Sequence, residues 1–273
     1  MSGYYSLQVD TEKIIMDKKY YATKLGQIAY AGKEGKPLIV FLNVFGTMDT
    51  EQNFAKVIAR LPKEYGIFAP DYLNTGFSGK SNAPYSLTTE ADELATIING
   101  FNAAKVIIVA HSVGGVYAFQ MQAKIKNLHA LIFIEPTTRE IILNPPKEKS
   151  YLDHDKETAD TDQFIHDKIF ALFSDREAND FWQTTLANEA RFDEQSEQEL
   201  ASAIEDDGFW QSSKKLDGKV PVTIFTEAYR QKEYERSEYN NQNAKIIPLG
   251  TFHYIQWEYP EEIAQEIISA SAD

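Results

Sequence analysis

Between Lys105 and Gly115 the chain reads KVIIVAHSVGG, a short β-branched run that breaks at Ser112 among small residues. Ala110 and Gly114, two positions before and two after the serine, would let a strand and the helix after it approach closely. The serine between them would take a strained backbone conformation that lifts its hydroxyl into a cleft. The chemistry open to such a serine is nucleophilic attack; the plainer reading is a serine that only caps the helix. A nucleophile needs a base, and the base needs a group to orient it. Of the five histidines, His111 is adjacent to Ser112 and cannot readily fold its ring back onto the hydroxyl, so it is expected in a structural or pocket-lining role. His129 precedes a strand at the opposite end of the sheet. His154 and His166 lie in a charged segment, where a solvated histidine is the ordinary outcome. His253, in the stretch GTFHY from Gly250 to Tyr254, follows the last expected strand. Loops at the carboxyl ends of parallel strands line the crevice of such sheets, which makes His253 the expected general base.

Two carboxylates compete for the third position. Glu135 follows the strand after the serine's helix, and Glu227 follows the next strand in the stretch IFTEAY. Both belong to the sheet edge that carries Ser112, and both precede His253 in chain order.

The elements that must position these groups alternate between short β-rich runs and amphipathic stretches, the pattern of a largely parallel sheet covered by helices. Residues 12–16 and 20–30 are expected to open the sheet as an antiparallel pair. Strands follow at 37–42, 65–69, 105–110, 130–134, 222–225 and 245–248, with helices near 49–61, 88–99, 114–124 and 260–270. Pro136 is expected to stop the strand at 130–134. The rhythm is interrupted over residues 137–217, where Phe164, Ile165, Ile169, Leu172, Phe173, Phe181 and Trp182 recur at steps of three and four and give helices with one apolar side. That side packs for the most part on the main domain. Lying over the serine, its inner aromatics, Phe164 and Trp182 among them, are expected to shape a pocket. The expected organisation is a core of residues 1–136 and 218–273 with a helical cap at 137–217.

Composition narrows the class. At 273 residues and 43% hydrophobic content, the chain can bury a large core. It has no cysteine, which removes disulfides, thiolate metal sites and thiol catalysis. The net charge of -14 argues against a nucleic-acid partner. No basic region followed by an apolar stretch opens the sequence, and no apolar run is long enough for a bilayer; a soluble cytoplasmic protein without a membrane partner is expected. Between Lys147 and Gly208 there are 18 acidic residues against 6 basic ones. Small-molecule substrates that are neutral or cationic are therefore expected to be preferred.

These residues carry a resemblance to the α/β-hydrolases over nearly the whole chain. The motif from Ala110 to Gly114 resembles that family's nucleophile elbow, and Gly250 to His253 its catalytic-histidine loop. Asp71 to Ser78 resembles its Asp-x-x-Gly-x-Gly-x-Ser loop, with Asn74 in the first glycine position, where asparagine tolerates a left-handed backbone. The family usually shows His-Gly after the third strand; this chain has Asn43 and Val44 there. The resemblance implies an eight-stranded, mostly parallel α/β-hydrolase sheet with an inserted cap. It also implies an oxyanion hole from the backbone NH groups of Val113 and Phe45, with Asn43, Val44 and His111 bordering the substrate. In most members an aspartate lies about three residues beyond the strand at 222–225, where this chain has Tyr229 and Arg230. A subgroup similar to haloalkane dehalogenases places its acid after the preceding strand at a spacing close to that between Ser112 and Glu135, which favours Glu135 over Glu227. Dehalogenation itself is disfavoured, since those enzymes attack with an aspartate. The resemblance implies a serine hydrolase of esterase type that cleaves an ester or related acyl bond, with no metal or organic cofactor. The alternatives are a ligand receptor of the same fold with little turnover and an aminopeptidase of the proline iminopeptidase type.

Overall fold

The computed structural model describes residues 16–157, 161–241 and 244–272. Its strands are Lys18–Ala22 (β1), Gln27–Lys33 (β2), Leu38–Leu42 (β3), Gly66–Pro70 (β4), Val106–His111 (β5), Leu128–Ile134 (β6), Val222–Thr226 (β7) and Lys245–Pro248 (β8). They form one eight-stranded sheet in the order β1-β2-β4-β3-β5-β6-β7-β8. β1 with β2 and β2 with β4 pair antiparallel; every later pairing is parallel.

The opening of the sheet differs from the expectation. The strand expected at 12–16 falls, but for Met16, outside the described residues, and the single strand expected over 20–30 is two. Thr23 breaks it: its hydroxyl donates to the Gly26 carbonyl at 2.7 Å and accepts from the amides of Leu25 and Gly26 at 3.1 Å each. That turn satisfies the backbone groups at the corner and folds β1 back on β2.

β3, β4, β5 and β7 are buried along their whole length, as strands covered on both faces must be. Their alternate residues divide between two cores. Val40, Leu42, Ile108, Ala110, Leu131 and Phe133 face helices Leu87–Gly100 and Gly114–Met121. Ile39, Phe41, Ile107, Val109, Ile132 and Ile134 face the opposite layer. In chain order the helices are Thr50–Asn53 (α1), Ala55–Ile58 (α2), Leu87–Gly100 (α3), Gly114–Met121 (α4), Arg139–Leu143 (α5), Lys149–Glu157 (α6), Asp162–Leu172 (α7), Asp175–Glu189 (α8), Glu194–Ile204 (α9), Asp207–Ser212 (α10), Gln231–Arg236 (α11), Ile255–Glu258 (α12) and Pro260–Ala272 (α13).

Helices α5 to α10 fill the stretch between β6 and β7. α7 and α8 bury Ile165, Ile169, Phe173, Ala178 and Phe181 against Phe252, Tyr254 and Trp257 of the loop and helix that follow β8. From α9 and α10, Leu200, Ile204 and Trp210 join the core on the α3 and α4 side of the sheet. Among the described residues, no helix is long and apolar enough to cross a membrane.

Candidate active site

Ser112 stands at the end of β5 with a φ of 53°, in the left-handed region that non-glycine residues rarely adopt. Its amide donates to the Ile134 carbonyl at 3.0 Å, and its own carbonyl accepts from Gly115 at 2.9 Å and Thr137 at 3.0 Å. The turn is therefore fixed from both sides. The small residue at 114 is required by contact: a Cβ there would stand 2.5 Å from the Leu42 carbonyl oxygen. The serine is 9% exposed and sits at the N-terminal end of α4.

Glu135 ends the neighbouring strand, and it too has a positive φ, 44°. Two strained non-glycine residues at adjacent strand ends are the pattern expected where a fold stores strain for a site. The Glu135 side chain is fully buried, and its Oε2 lies 3.8 Å from Nδ1 of His253, an ion-pair distance longer than a hydrogen bond. Oε1 accepts from the amide of Glu227 at 2.7 Å, and Oε2 also accepts from Nη1 of Arg230. Burial alone would push this carboxyl up, but the Arg230 guanidinium and His253 outweigh it and hold the group at about 2.

Glu227, the competing acid, turns elsewhere. Its side chain meets Nε2 of His154 on α6 at 2.9 Å, and only its backbone NH serves the site, as a donor to Glu135. Burial, and next the charge of Glu135, push the Glu227 carboxyl up. His154, expected to be solvated, thus ties α6 to the end of β7. His129 lies at the start of β6, and His166 stacks on Phe170; neither approaches Ser112.

His253 is 23% exposed at its side chain and is held through its backbone. Nε2 of His111 donates to the His253 carbonyl at 3.0 Å, the two rings being 4.6 Å apart. Nδ1 of His111 faces the amide nitrogens of Gln256 at 3.3 Å and Asn53 at 3.5 Å, so it is the accepting nitrogen. Burial, and next the neighbouring His253, keep His111 well below the ordinary imidazole range, hence neutral. His111 was expected in a structural or pocket-lining role; it is fully buried and ties the histidine loop to the strand that carries the serine.

The loop after β3 lacks the family's glycine at position 44 and gains its shape from side chains and from Gly46, whose φ is 117°. Asn43 donates to the Met48 carbonyl at 2.9 Å and accepts from Asn53 at 2.5 Å, and the Tyr72 hydroxyl donates to the Asn43 carbonyl at 3.0 Å. Tyr72 stacks on Tyr117 of α4, centroids 4.1 Å apart, and Tyr117 donates to buried Glu90 at 2.5 Å. The ring of Phe45 lies edge-on to both tyrosines. Asn43 is itself buried, and its side chain shapes the loop. Val44, Phe164 and Trp182, by contrast, are half-buried around the aromatic cluster of Phe252 and Tyr254, beside His253.

Asn53 on α1 was not anticipated. Its Oδ1 accepts from Gln256 at 3.0 Å and from the Trp257 indole at 2.8 Å, and its Nδ2 donates to Asn43. One amide thus joins the loop after β3, the serine strand and the helix after His253. Arg230 and Glu233 were likewise missed as a pair; their spacing of three within a charged run was the available signal. Among the described residues, no group of three or more histidines and carboxylates is placed to hold a metal ion.

Three comparisons extend the geometry. The chain is 33% identical over 84 residues to the Mycobacterium tuberculosis protein Rv2715, a match that takes in 31% of this chain and 24% of that protein's length. The crystal structure of Smu.1393c from Streptococcus mutans is similar over 94% of this chain and 98% of its own, with a TM-score of 0.80 and 25% identity. The N-acyl homoserine lactonase AidH, crystallised with N-butanoyl homoserine, is similar in fold over 93% and 96% of the two chains, with a TM-score of 0.67 and 14% identity. A family model, that of the alpha/beta hydrolase family, matches residues 39–266, and with the strand order and the strained serine turn already described it follows that this chain belongs to the alpha/beta hydrolase family.

Proposed function

We propose that this hydrolase cleaves an ester or related acyl bond of a small molecule through a serine acyl-enzyme. The observation that supports the reading is Ser112 in its left-handed turn at one strand end and, at the end of the next strand, a buried Glu135 whose Oε2 lies 3.8 Å from Nδ1 of His253. In this reading Ser112 attacks the carbonyl carbon while His253 takes the hydroxyl proton. Glu135 orients the ring and stabilises the imidazolium. The NH groups of Val113 and Phe45 receive the negative oxygen of the tetrahedral intermediate, each donor lowering the barrier by about 3 kcal/mol. His253 then returns its proton to the leaving alkoxide. Water, activated by the same base, attacks the acyl-serine and restores the hydroxyl. Residues 137–217 act as a cap, with Val44, Phe164 and Trp182 offering apolar surface to the acyl or alcohol part. The acyl lactone chemistry named for the structural neighbour AidH is of the same class.

A receptor with little turnover is favoured by one observation: Asn43 and Val44 stand after β3 where the family usually has His-Gly. A fluorophosphonate probe separates the two, because only an activated serine reacts appreciably. Wild type is expected to label and Ser112→Ala not to, with Ser112→Ala also losing turnover of p-nitrophenyl esters while its melting temperature is retained. Esterase activity of Ser112→Ala within about tenfold of wild type would exclude the acyl-enzyme, since loss of a nucleophile costs orders of magnitude. Aminoacyl-nitroanilides in the same panel test the aminopeptidase alternative.

A further inference from the structure

A buried carboxylate stays ionised only when charge or hydrogen bonds replace the water it has lost. Glu135 has two neutral donors, the amide of Glu227 and the Thr226 hydroxyl, and an imidazole 3.8 Å away. The remaining partner is Arg230, 8% exposed, whose guanidinium is gripped from the far side by Glu233 in a two-point contact, Nε to Oε2 at 3.0 Å and Nη2 to Oε1 at 2.9 Å. Glu233 is itself fixed by the Thr138 hydroxyl at 2.5 Å, and the guanidinium lies over the Tyr234 ring at 5.1 Å. The cation therefore has no freedom to swing away, and Nη1 stays aimed at Oε2.

We propose that Arg230 is a positioning residue of this hydrolase, one that keeps the Glu135 carboxylate charged and fixed so that it can serve His253 down to mildly acidic pH. The proposal rests on the serine-hydrolase reading for its kinetic consequence but not for its ionisation consequence. An internal comparison supports it. Glu90 is as deeply buried and holds two good hydrogen bonds, from Leu73 at 2.6 Å and Tyr117 at 2.5 Å, and burial outweighs them to push it up to about 7. At Glu90 two hydrogen bonds without a cation leave burial dominant; at Glu135 the fixed Arg230 cation is the largest influence opposing burial. The other groups facing Glu135 cannot replace it. His111 is neutral and spends Nε2 on a backbone carbonyl, the Glu227 side chain is occupied by His154, and Tyr229 and Tyr234 bring no positive charge. On the histidine loop, Glu258 bonds Thr251, and Lys168 of α7 lies over Phe252.

The test is Arg230→Gln, with Arg230→Lys as the charge-retaining variant. At about pH 6, infrared spectra of Arg230→Gln should contain a protonated-carboxyl band that vanishes when Glu135→Gln is added, because an unpaired buried glutamate reaches pKa values of about 8. Wild type and Arg230→Lys should lack that band. In kinetics on p-nitrophenyl acetate, the ratio of kcat at about pH 8.5 to kcat at about pH 6 should rise about tenfold or more in Arg230→Gln, with KM nearly unchanged, and return toward wild type in Arg230→Lys. A merely structural loss would lower kcat equally at both values. Should Arg230→Gln not fold, Arg230→Gln combined with Glu233→Gln removes the buried charges as a pair and is read in the same way. A Glu135 that remains ionised at about pH 6 without the arginine overturns the proposal. The infrared result is independent of turnover, so it stands apart from any failure of the serine-hydrolase reading.

Discussion

Glu135 answers to three neighbours with two oxygens: the Glu227 amide on Oε1, Arg230 and His253 on Oε2. Its strained φ of 44° aims the side chain back across the end of β7 toward the histidine loop. Glu227 cannot take over, since it extends toward α6 and is occupied there by His154. Glu135→Gln is accordingly expected to lower kcat by about 10⁴, the loss that follows when a neutral amide stabilises the wrong tautomer of a catalytic histidine. Glu227→Gln should cost about tenfold or less, because its backbone NH, the part that meets Glu135, is retained. Kinetics of the two variants on one ester check the ranking, and the reverse order would move the acid to Glu227.

At the scale of elements, the site depends on three segments far apart in sequence being tied together: the loop after β3, the end of β5 and α12. Asn53 of α1 supplies the tie. Asn53→Ala would leave the Asn43 side-chain oxygen buried without its donor, at about 1–3 kcal/mol, whereas the Trp257 indole NH keeps the residue-53 backbone carbonyl at 3.1 Å. A stability loss of about 1–3 kcal/mol is expected in urea unfolding, together with a fall in kcat although no hydrogen bond joins the residue 53 side chain to Ser112 or Glu135. Unchanged stability would show that the tie is dispensable. This network also marks where the sequence stops being legible. The strands were readable because β3, β5 and β7 are continuous apolar runs, and the serine turn because Gly114 has no room for a Cβ. The histidine loop was readable from its place after β8. The buried amide and tyrosine contacts were not, because Asn53, Tyr72 and Gln256 are ordinary residues in sequence and gain meaning only from partners up to 204 positions away. The turn at Thr23 was missed for a local reason: a threonine hydroxyl can end a strand that β-propensity would continue.

Over the whole molecule, ionisation bears on stability and on substrate choice with separable signatures. Burial pushes Glu51 and Glu90 up to about 7, and burial followed by the charge of Asp49 pushes Asp71 up to about 6. Folded, these groups bind protons that the unfolded chain has released, so their contribution is fullest below about pH 4.5 and is lost as pH rises through 6 to 7. The Tm should therefore be higher near pH 5 than near pH 8, by roughly 3 °C per kcal/mol for a chain of this size. Glu51→Gln, which can still accept from Met16, should flatten that slope. Glu135 works in the opposite sense only as pH falls from about 4.5 to about 2, outside this range, while His111, held neutral by burial, opposes the carboxyls within it as pH falls below about 6.5, one group against three.

For substrate choice the expectation rests instead on charge that solvent reaches. Carboxylates on α6 to α9, among them Asp153, Asp162, Asp175, Glu194 and Glu199, are exposed and give this segment a negative potential. An anionic ester approaching over these helices is repelled, whereas a neutral one is not. Screening shortens the reach of that field from about 30 Å at 0.01 M salt to about 8 Å at 0.15 M, so the discrimination should shrink as salt is added. For a matched pair of neutral and carboxylate-bearing p-nitrophenyl esters, the ratio of kcat/KM values is expected to fall toward one across that range. Most of the change should come from the anionic member, because a neutral substrate feels no net force from the acidic helices at either salt concentration. A ratio that stays constant would place those carboxylates outside the approach path and leave specificity to Val44, Phe164 and Trp182.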